Sequence, residues 1–301
     1  MSDHPRVRLD LTSRPDHREK SLIGLRNIPL LVSMLNLSGL EWRTCRDRLS
    51  QLRALEIGAH VKNLEAEIAS SLSETMEALG IAIEYLPARH ARYRMYRTVD
   101  EVALCLGLLH PRGLGRQINL SSDAHKLSSS QMIFACPHIG LTKSTLVWIA
   151  RLGRPVSIIS AGHEFKSEDS VRISESIGAS IDLVPPGPTS ALSLRRSTRS
   201  GANIVIHPDF YDYGREAPAI ISPFGLDAPF SDSIERLSRY LQLPVGICDI
   251  TVNSLGCYEV WAKMLDEPSA VGDEVTRRIE AIPEYWLGWR GVAAFGKSGD
   301  I

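Results

Sequence analysis

From about residue 128 onward, short apolar runs alternate with stretches of helical periodicity, and this alternation narrows the fold more than any other feature of the chain. Met132–Cys136, Val156–Ser160, Ser180–Val184, Asn203–Ile206 and Val245–Thr251 read as strands. Thr142–Leu152, Ser167–Ile177, Ser190–Arg199 and Ser231–Leu241 read as helices between them. Strands separated by one helix each call for right-handed crossovers, hence an α/β fold with a mostly parallel central sheet flanked by helices. Tyr258–Met264 follows the strand at Val245 through Asn253-Ser254-Leu255-Gly256. That link is too short for a crossover, so the last pair is predicted to be an antiparallel hairpin.

The N-terminal part has a different texture. Residues 1–18 read as a polar tail, 19–127 as a helical layer, and 128–301 as the α/β unit, with the layer and the unit forming one compact body. Between Glu41 and Leu79, apolar residues such as Leu49, Leu52, Leu64, Ile68 and Leu72 recur at helical intervals among Arg and Glu, as expected of two paired helices. A basic and aromatic block, Arg89 to Arg97, precedes another predicted helix near Thr98, whose spacing to Glu101 is that of a capping box. No run has the length of a membrane span: the best candidate, Ser21 to Leu40, is broken by Arg26, Asn27, Pro29 and Asn36, and reads as a helix on the body or at a membrane surface. The five cysteines are widely spaced with no C-x-x-C, and the first twenty residues have no apolar signal core. Both features fit a cytoplasmic protein, at most peripheral to an inner membrane.

No Walker A, G-x-G-x-x-G, H-E-x-x-H or G-x-S-x-G motif occurs, so nucleotide hydrolysis, dinucleotide redox chemistry, zinc proteolysis and α/β-hydrolase chemistry lose ground. The remaining chemistry lies in loops at predicted strand ends, the edge of an α/β sheet where ligands collect. Cys136-Pro137-His138-Ile139-Gly140 ends one strand, Ser160 to Glu164 with His163 ends the next, and His207-Pro208-Asp209 ends a third, before the aromatic run Phe210 to Tyr213. His138 is the candidate general base, because imidazole takes protons near neutral pH. The competing reading makes it a polar residue ending a strand. Asp209 is either its partner or an ordinary Pro-Asp turn, and Cys136 is a buried thiol before it is a nucleophile.

The order of these pieces resembles the lysophospholipid acyltransferase superfamily, most of all its lipid A late acyltransferase branch. The resemblance spans roughly residues 128–295. It rests on His138 after a strand, on Leu152-Gly153-Arg154-Pro155-Val156, and on Leu192 to Asp209 with Gly201 and Pro208-Asp209. It continues through Pro223-Phe224-Gly225 with Ser231, Leu243-Pro244-Val245 and Pro283-Glu284-Tyr285-Trp286-Leu287-Gly288-Trp289-Arg290. It implies acyl transfer from an activated ester or thioester, carried by acyl carrier protein or coenzyme A, to a hydroxyl or amine, with no cofactor and no metal. His138 would be the base, and the backbone N–H groups of Ile139 and Gly140 would stabilise the oxyanion.

One departure is decisive for the chemistry. The family's acid, five residues after the histidine, falls on Lys143. An ammonium there disfavours the imidazolium that a carboxylate would favour. Asp209 or Glu164 must then orient His138, or the acceptor must need less activation, or catalysis has been lost and the chain binds an acyl group or a partner. Lys143, Ser231, His163, Glu164, His207, Arg195 and Arg196 are candidate substrate contacts, with Ser231 equally a helix cap. Arg89, Arg92, Arg94 and Arg97 form a candidate phosphate or nucleic-acid patch, which admits aminoacyl-tRNA as an alternative donor; no DNA partner is expected.

Overall fold

The computed structural model describes residues 58–105, 118–120, 124, 127, 130–159, 171, 174, 178–209, 219–252, 258–289 and 292. Nine strands fall within these residues: β1 (Ile118–Leu120), β2 (Ile133–Ala135), β3 (Val156–Ile159), β4 (Ile181–Val184), β5 (Asn203–Ile206), β6 (Ala219–Ile221), β7 (Ala228–Phe230), β8 (Val245–Val252) and β9 (Tyr258–Leu265). The helices are α1 (Gly58–Ala78), α2 (Leu86–Cys105), α3 (Thr142–Ala150), α4 (Ser190–Arg199), α5 (Ser233–Leu241) and α6 (Val271–Ala281). Seven strands form one sheet in the order β1-β9-β8-β2-β5-β3-β4, while β6 and β7 form a separate antiparallel pair. Strands β8, β2, β5, β3 and β4 run parallel, β9 opposes β8, and β1 runs parallel to β9. The mixed, mostly parallel α/β sheet and its closing hairpin are as predicted.

Parallel strands of this kind are covered on both faces, which is why they read as unbroken apolar runs. Phe134 and Cys136 pack on one side with Leu146, Val147 and Ile149 of α3. Ile133 and Ala135 pack on the other with Leu194 of α4, Ile234 of α5 and Val275 and Ile279 of α6. The chain passes from β2 to β3, leaves a gap that β5 later fills, and then crosses to β8 on the far side of β2. The carboxyl ends of β2 and β5 therefore lie beside the point where the winding reverses, where open α/β sheets bind their ligands.

Several expectations change. The basic block does not precede a helix: Arg89 to Arg97 lies inside α2, a single 20-residue helix. Thr98 therefore lies within that helix and not at its start. No Gly or Pro interrupts the chain between Ala88 and Cys105, and the Ala, Arg and Met content favours a continuous helix. Strand β1, from the stretch read as a helical layer, forms the sheet edge beside β9, and the β6–β7 pair and α6 add to the predicted elements, α6 burying Val271, Val275 and Ile279 at helical spacing. The tail at 1–18, the first of the two paired helices and Ser21–Leu40 lie outside the described residues, as does most of Ser167–Ile177. Among the described residues, no helix is long and apolar enough to cross a membrane.

A buried ion pair joins the sheet to α6. Asp249, buried in β8, receives Arg278 Nε and a second guanidinium nitrogen, each at 2.8 Å. The guanidinium lies 4.6 Å from the centroid of Trp261, the residue paired with Asp249 across β8 and β9. Burial pushes the Asp249 carboxyl up, more than Arg278 pulls it down. Replacing Arg278 with Met leaves an uncompensated buried carboxylate, and the expected loss is about 3–5 kcal/mol at neutral pH in urea unfolding. The loss should shrink in acid, where the orphaned carboxyl takes a proton; a pH-independent loss would mean that lost packing is the cause.

Candidate active site

The register of two neighbouring strands assembles the site. Ala135 of β2 is paired with Ile206 of β5, an offset of 71 (206 − 135), and His138 and Asp209 share the same offset (209 − 138). Each lies three residues beyond its strand, so two loops that are distant in sequence leave the sheet side by side. His138 Nδ1 lies 2.9 Å from Asp209 Oδ1. The His138 backbone N–H donates to both carboxylate oxygens, at 2.9 Å to Oδ1 and 2.8 Å to Oδ2. Both side chains are almost completely buried, 5% and 2% exposed respectively. Burial pushes the Asp209 carboxyl up, but the His138 charge, the two kinds of hydrogen bond from His138 and the more distant His207 together bring it below the usual carboxylate range. Asp209 is thus an anion at neutral pH. The Nδ1 that faces it carries the proton, and the ring's lone pair is on Nε2.

Around this pair, the turn after β2 is tightly held. Gly140 has φ +67°, and a Cβ there would come within 2.1 Å of the Ile250 carbonyl oxygen, so the glycine of Pro-His-Ile-Gly is needed for both conformation and clearance. Leu141 N–H donates to that carbonyl at 2.7 Å. Tyr93, in the middle of the basic block on α2, donates its hydroxyl to the Gly140 carbonyl. On the other side, the C-terminal segment lies antiparallel to the turn, pairing Ile139 with Trp286. Trp286 also donates its indole N–H to Asp209 Oδ2 at 3.2 Å. Trp286 and Tyr93 were not among the sequence candidates. The ordered Pro-Glu-x-Trp ending was a signal for Trp286, but nothing local tied it to Asp209.

The proposed oxyanion donors require correction. Ile139 N–H is bonded within the turn to the Pro137 carbonyl at 2.6 Å, and Gly140 N–H to the Tyr285 carbonyl of the C-terminal segment at 3.0 Å. Neither is available to a tetrahedral oxyanion. His207 does reach the site: its ring centroid is 4.6 Å from that of His138, and its Nδ1–H donates to the Cys136 carbonyl. Ser231 is tied next to Asp209 through its N–H to the Pro208 carbonyl at 2.8 Å, while its hydroxyl accepts the Ser233 N–H at the start of α5. Lys143 is the second residue of α3 and half-buried. Cys136 is buried against Cys248, with 3.6 Å between sulfurs, and burial and that neighbour push the Cys248 thiol well up.

The remaining candidates lie elsewhere. Arg195 and Arg196 are exposed on α4, which runs into the start of β5, toward the sheet edge opposite His138; Arg195 stands 3.4 Å from the Tyr240 hydroxyl. The structure does not bring them to the dyad. Arg89 and Arg92 are exposed on α2, with Arg89 4.5 Å from the Tyr85 ring centroid and 3.6 Å from Glu284, while Arg94 and Arg97 are half-buried. His163, Glu164 and Phe210 to Tyr213 lie outside the described residues. Among the described residues, no cluster of three or more His, Cys, Asp or Glu could hold a metal ion.

Because Asp209 is held below its unfolded proton affinity, it stabilises the fold fully above about pH 4, and that contribution is lost as pH falls through its lowered native value. The wild-type unfolding free energy should therefore fall more steeply on acidification than that of Asp209→Asn, with the two curves converging in acid. Parallel curves from pH 7 to pH 3 would show that the carboxylate is not held in this way.

No family model matches the chain, and no curated protein matches it. Among solved structures, it is similar to the 1-acyl-sn-glycerophosphate (LPA) acyltransferase PlsC from Thermotoga maritima, with a TM-score of 0.33 and 11% identity over 82% of this chain and 97% of that one.

Proposed function

We propose that the protein is an acyltransferase that moves an acyl group from an activated ester or thioester to a hydroxyl or amine. The buried His138–Asp209 pair at the carboxyl edge of β2 and β5 carries this reading. With Nδ1–H committed to Asp209, Nε2 is the basic nitrogen. It takes the proton from the acceptor O–H or N–H as the acceptor oxygen or nitrogen bonds to the acyl carbon. The carbonyl electrons move onto oxygen and then return, breaking the bond to sulfur or oxygen of the donor. The proton held on Nε2 passes to the departing thiolate or alkoxide, leaving His138 neutral. Asp209 stays ionised throughout and offsets the transient imidazolium charge.

This assignment accounts for Lys143. The orienting acid need not lie on α3, since β5 supplies one from the neighbouring loop. Acyl carrier proteins, coenzyme A and tRNA are all polyanions. The exposed Arg89 and Arg92 lie on α2, which also contacts the site's turn through Tyr93, and this favours an anionic donor approaching from that side.

The direct test is discharge of acyl-coenzyme A, acyl-carrier-protein and aminoacyl-tRNA donors with mixed alcohol and amine acceptors. At least one donor should be consumed, with turnover reduced about 10²- to 10⁴-fold in His138→Ala and by a similar factor in Asp209→Asn. Undiminished discharge by His138→Ala, or no discharge of any donor, would reject the proposal.

A further inference from the structure

Acyl transfer as described makes no use of the Pro283–Trp289 segment, yet this segment is bound to the dyad and its turn at several points. Gly140 N–H donates to the Tyr285 carbonyl and Leu287 N–H to the His138 carbonyl, both at 3.0 Å, on either side of the Ile139–Trp286 pair. The segment is itself anchored: His90 Nδ1–H donates to the Glu284 carbonyl at 2.9 Å, and the Tyr285 hydroxyl to the Val252 carbonyl at 2.7 Å. Trp286 is only 2% exposed and packs edge-on to Trp289, with centroids 5.2 Å apart. Gly288 leaves room for it, since a Cβ there would lie 2.3 Å from the indole.

From this geometry we infer that Trp286 is a positioning residue: its indole N–H fixes Oδ2 of Asp209 so that Oδ1 stays on His138 Nδ1. The inference rests on the reading of His138 as the base. Oδ1 accepts from Nδ1 and the His138 backbone, while Oδ2 accepts from that backbone and from the indole. Turning the carboxylate about its Cβ–Cγ bond out of this plane would break both side-chain bonds, so the indole opposes that rotation. An indole N–H only donates, so it supports the ionised carboxylate and never competes for the proton. Without it the carboxylate is held only by the His138 backbone N–H and is free to turn, so its charge no longer stays on Nδ1 and an imidazolium there is less well paired.

Histidine side-chain NMR tests this without turnover, so it is independent of whether a donor is found. Of the nine histidines, His138 is identified by the signal lost in His138→Asn. Among the described residues it faces Asp209 and His207, both retained in the tryptophan variants. In Trp286→Phe, the His138 midpoint should move to lower pH by about half a pH unit or more. Trp289→Phe is the control, because that indole donates to the Pro283 carbonyl, at 2.9 Å, and not to the dyad; it should leave the midpoint in place. An unchanged or raised midpoint in Trp286→Phe, or equal movement in both variants, overturns the inference. A second measurement does not depend on Trp286→Phe folding. In the wild type, one of the five indole N–H signals should follow the His138 titration, and in Asp209→Asn none should. If no indole signal follows it in the wild type, Trp286 is not coupled to the dyad. Where donors are consumed, Trp286→Phe should lower kcat about tenfold with KM little changed, since it alters the base and not the binding surface.

Discussion

The backbone N–H of His138 donates to both oxygens of the Asp209 carboxylate, and the rest of the site depends on this contact. A carboxylate this deeply buried would ordinarily take up a proton. Here the residue that it orients also supplies much of what keeps it ionised, through main chain and ring together. The orientation of the imidazole is therefore set by backbone geometry as well as by a flexible side chain. It follows from the β2–β5 register: a slip of one residue would turn every side chain of β2 to the opposite face and send His138 away from Asp209. Because β2 is buried on both faces, such a slip would also misplace Ile133 and Phe134, which are fully buried on opposite sides. Core packing and the dyad thus enforce the same register.

The turn after β2 is held from three directions: by Ile250 of β8, by Tyr93 of α2 and by the C-terminal segment. The aromatic residues join these supports, with Tyr93 packed edge-on against Tyr285 at 4.9 Å. In consequence, the turn's own donors are consumed, and it serves as a rigid mount for the imidazole rather than as an oxyanion hole. The basic block on α2 has two sides with different duties. His90 and Tyr93 are buried against the C-terminal segment and the turn, whereas Arg89 and Arg92 remain at the surface.

Much of the sheet was legible in the sequence, because strands buried on both faces announce themselves as apolar runs between helical stretches. Asn203–Ile206 and Ser190–Arg199 have the bounds that periodicity predicts. The three-residue strands β1, β6 and β7 were not legible: so short a run has no period, and pairing partners define it. His138 and Asp209 could each be singled out as strand-end residues, but their meeting depends on β5 entering between β2 and β3, and strand order is not written in either loop. The same limit applies to Trp286, whose partner lies 77 residues away. Arg195 and Arg196 show the reverse case. Their charge suggested a ligand contact, while helix direction takes them toward the other edge of the sheet.

Two imidazoles meet at this edge, and their Nδ1 partners distinguish them. His207 donates to a neutral carbonyl, that of Cys136, whereas His138 donates to a carboxylate. An imidazolium on His138 lies beside a full negative charge in a poorly solvated environment. One on His207 is stabilised directly by a dipole and only at longer range by Asp209. With ring centroids 4.6 Å apart, two positive charges would repel strongly, so protonation of one ring opposes protonation of the other. A carboxylate supports a charged ring more than a carbonyl does, so the geometry of the pair favours charge on His138 over charge on His207. In the proposed acyl transfer, the developing charge falls on the ring that Asp209 faces, with the His207 ring packed beside it.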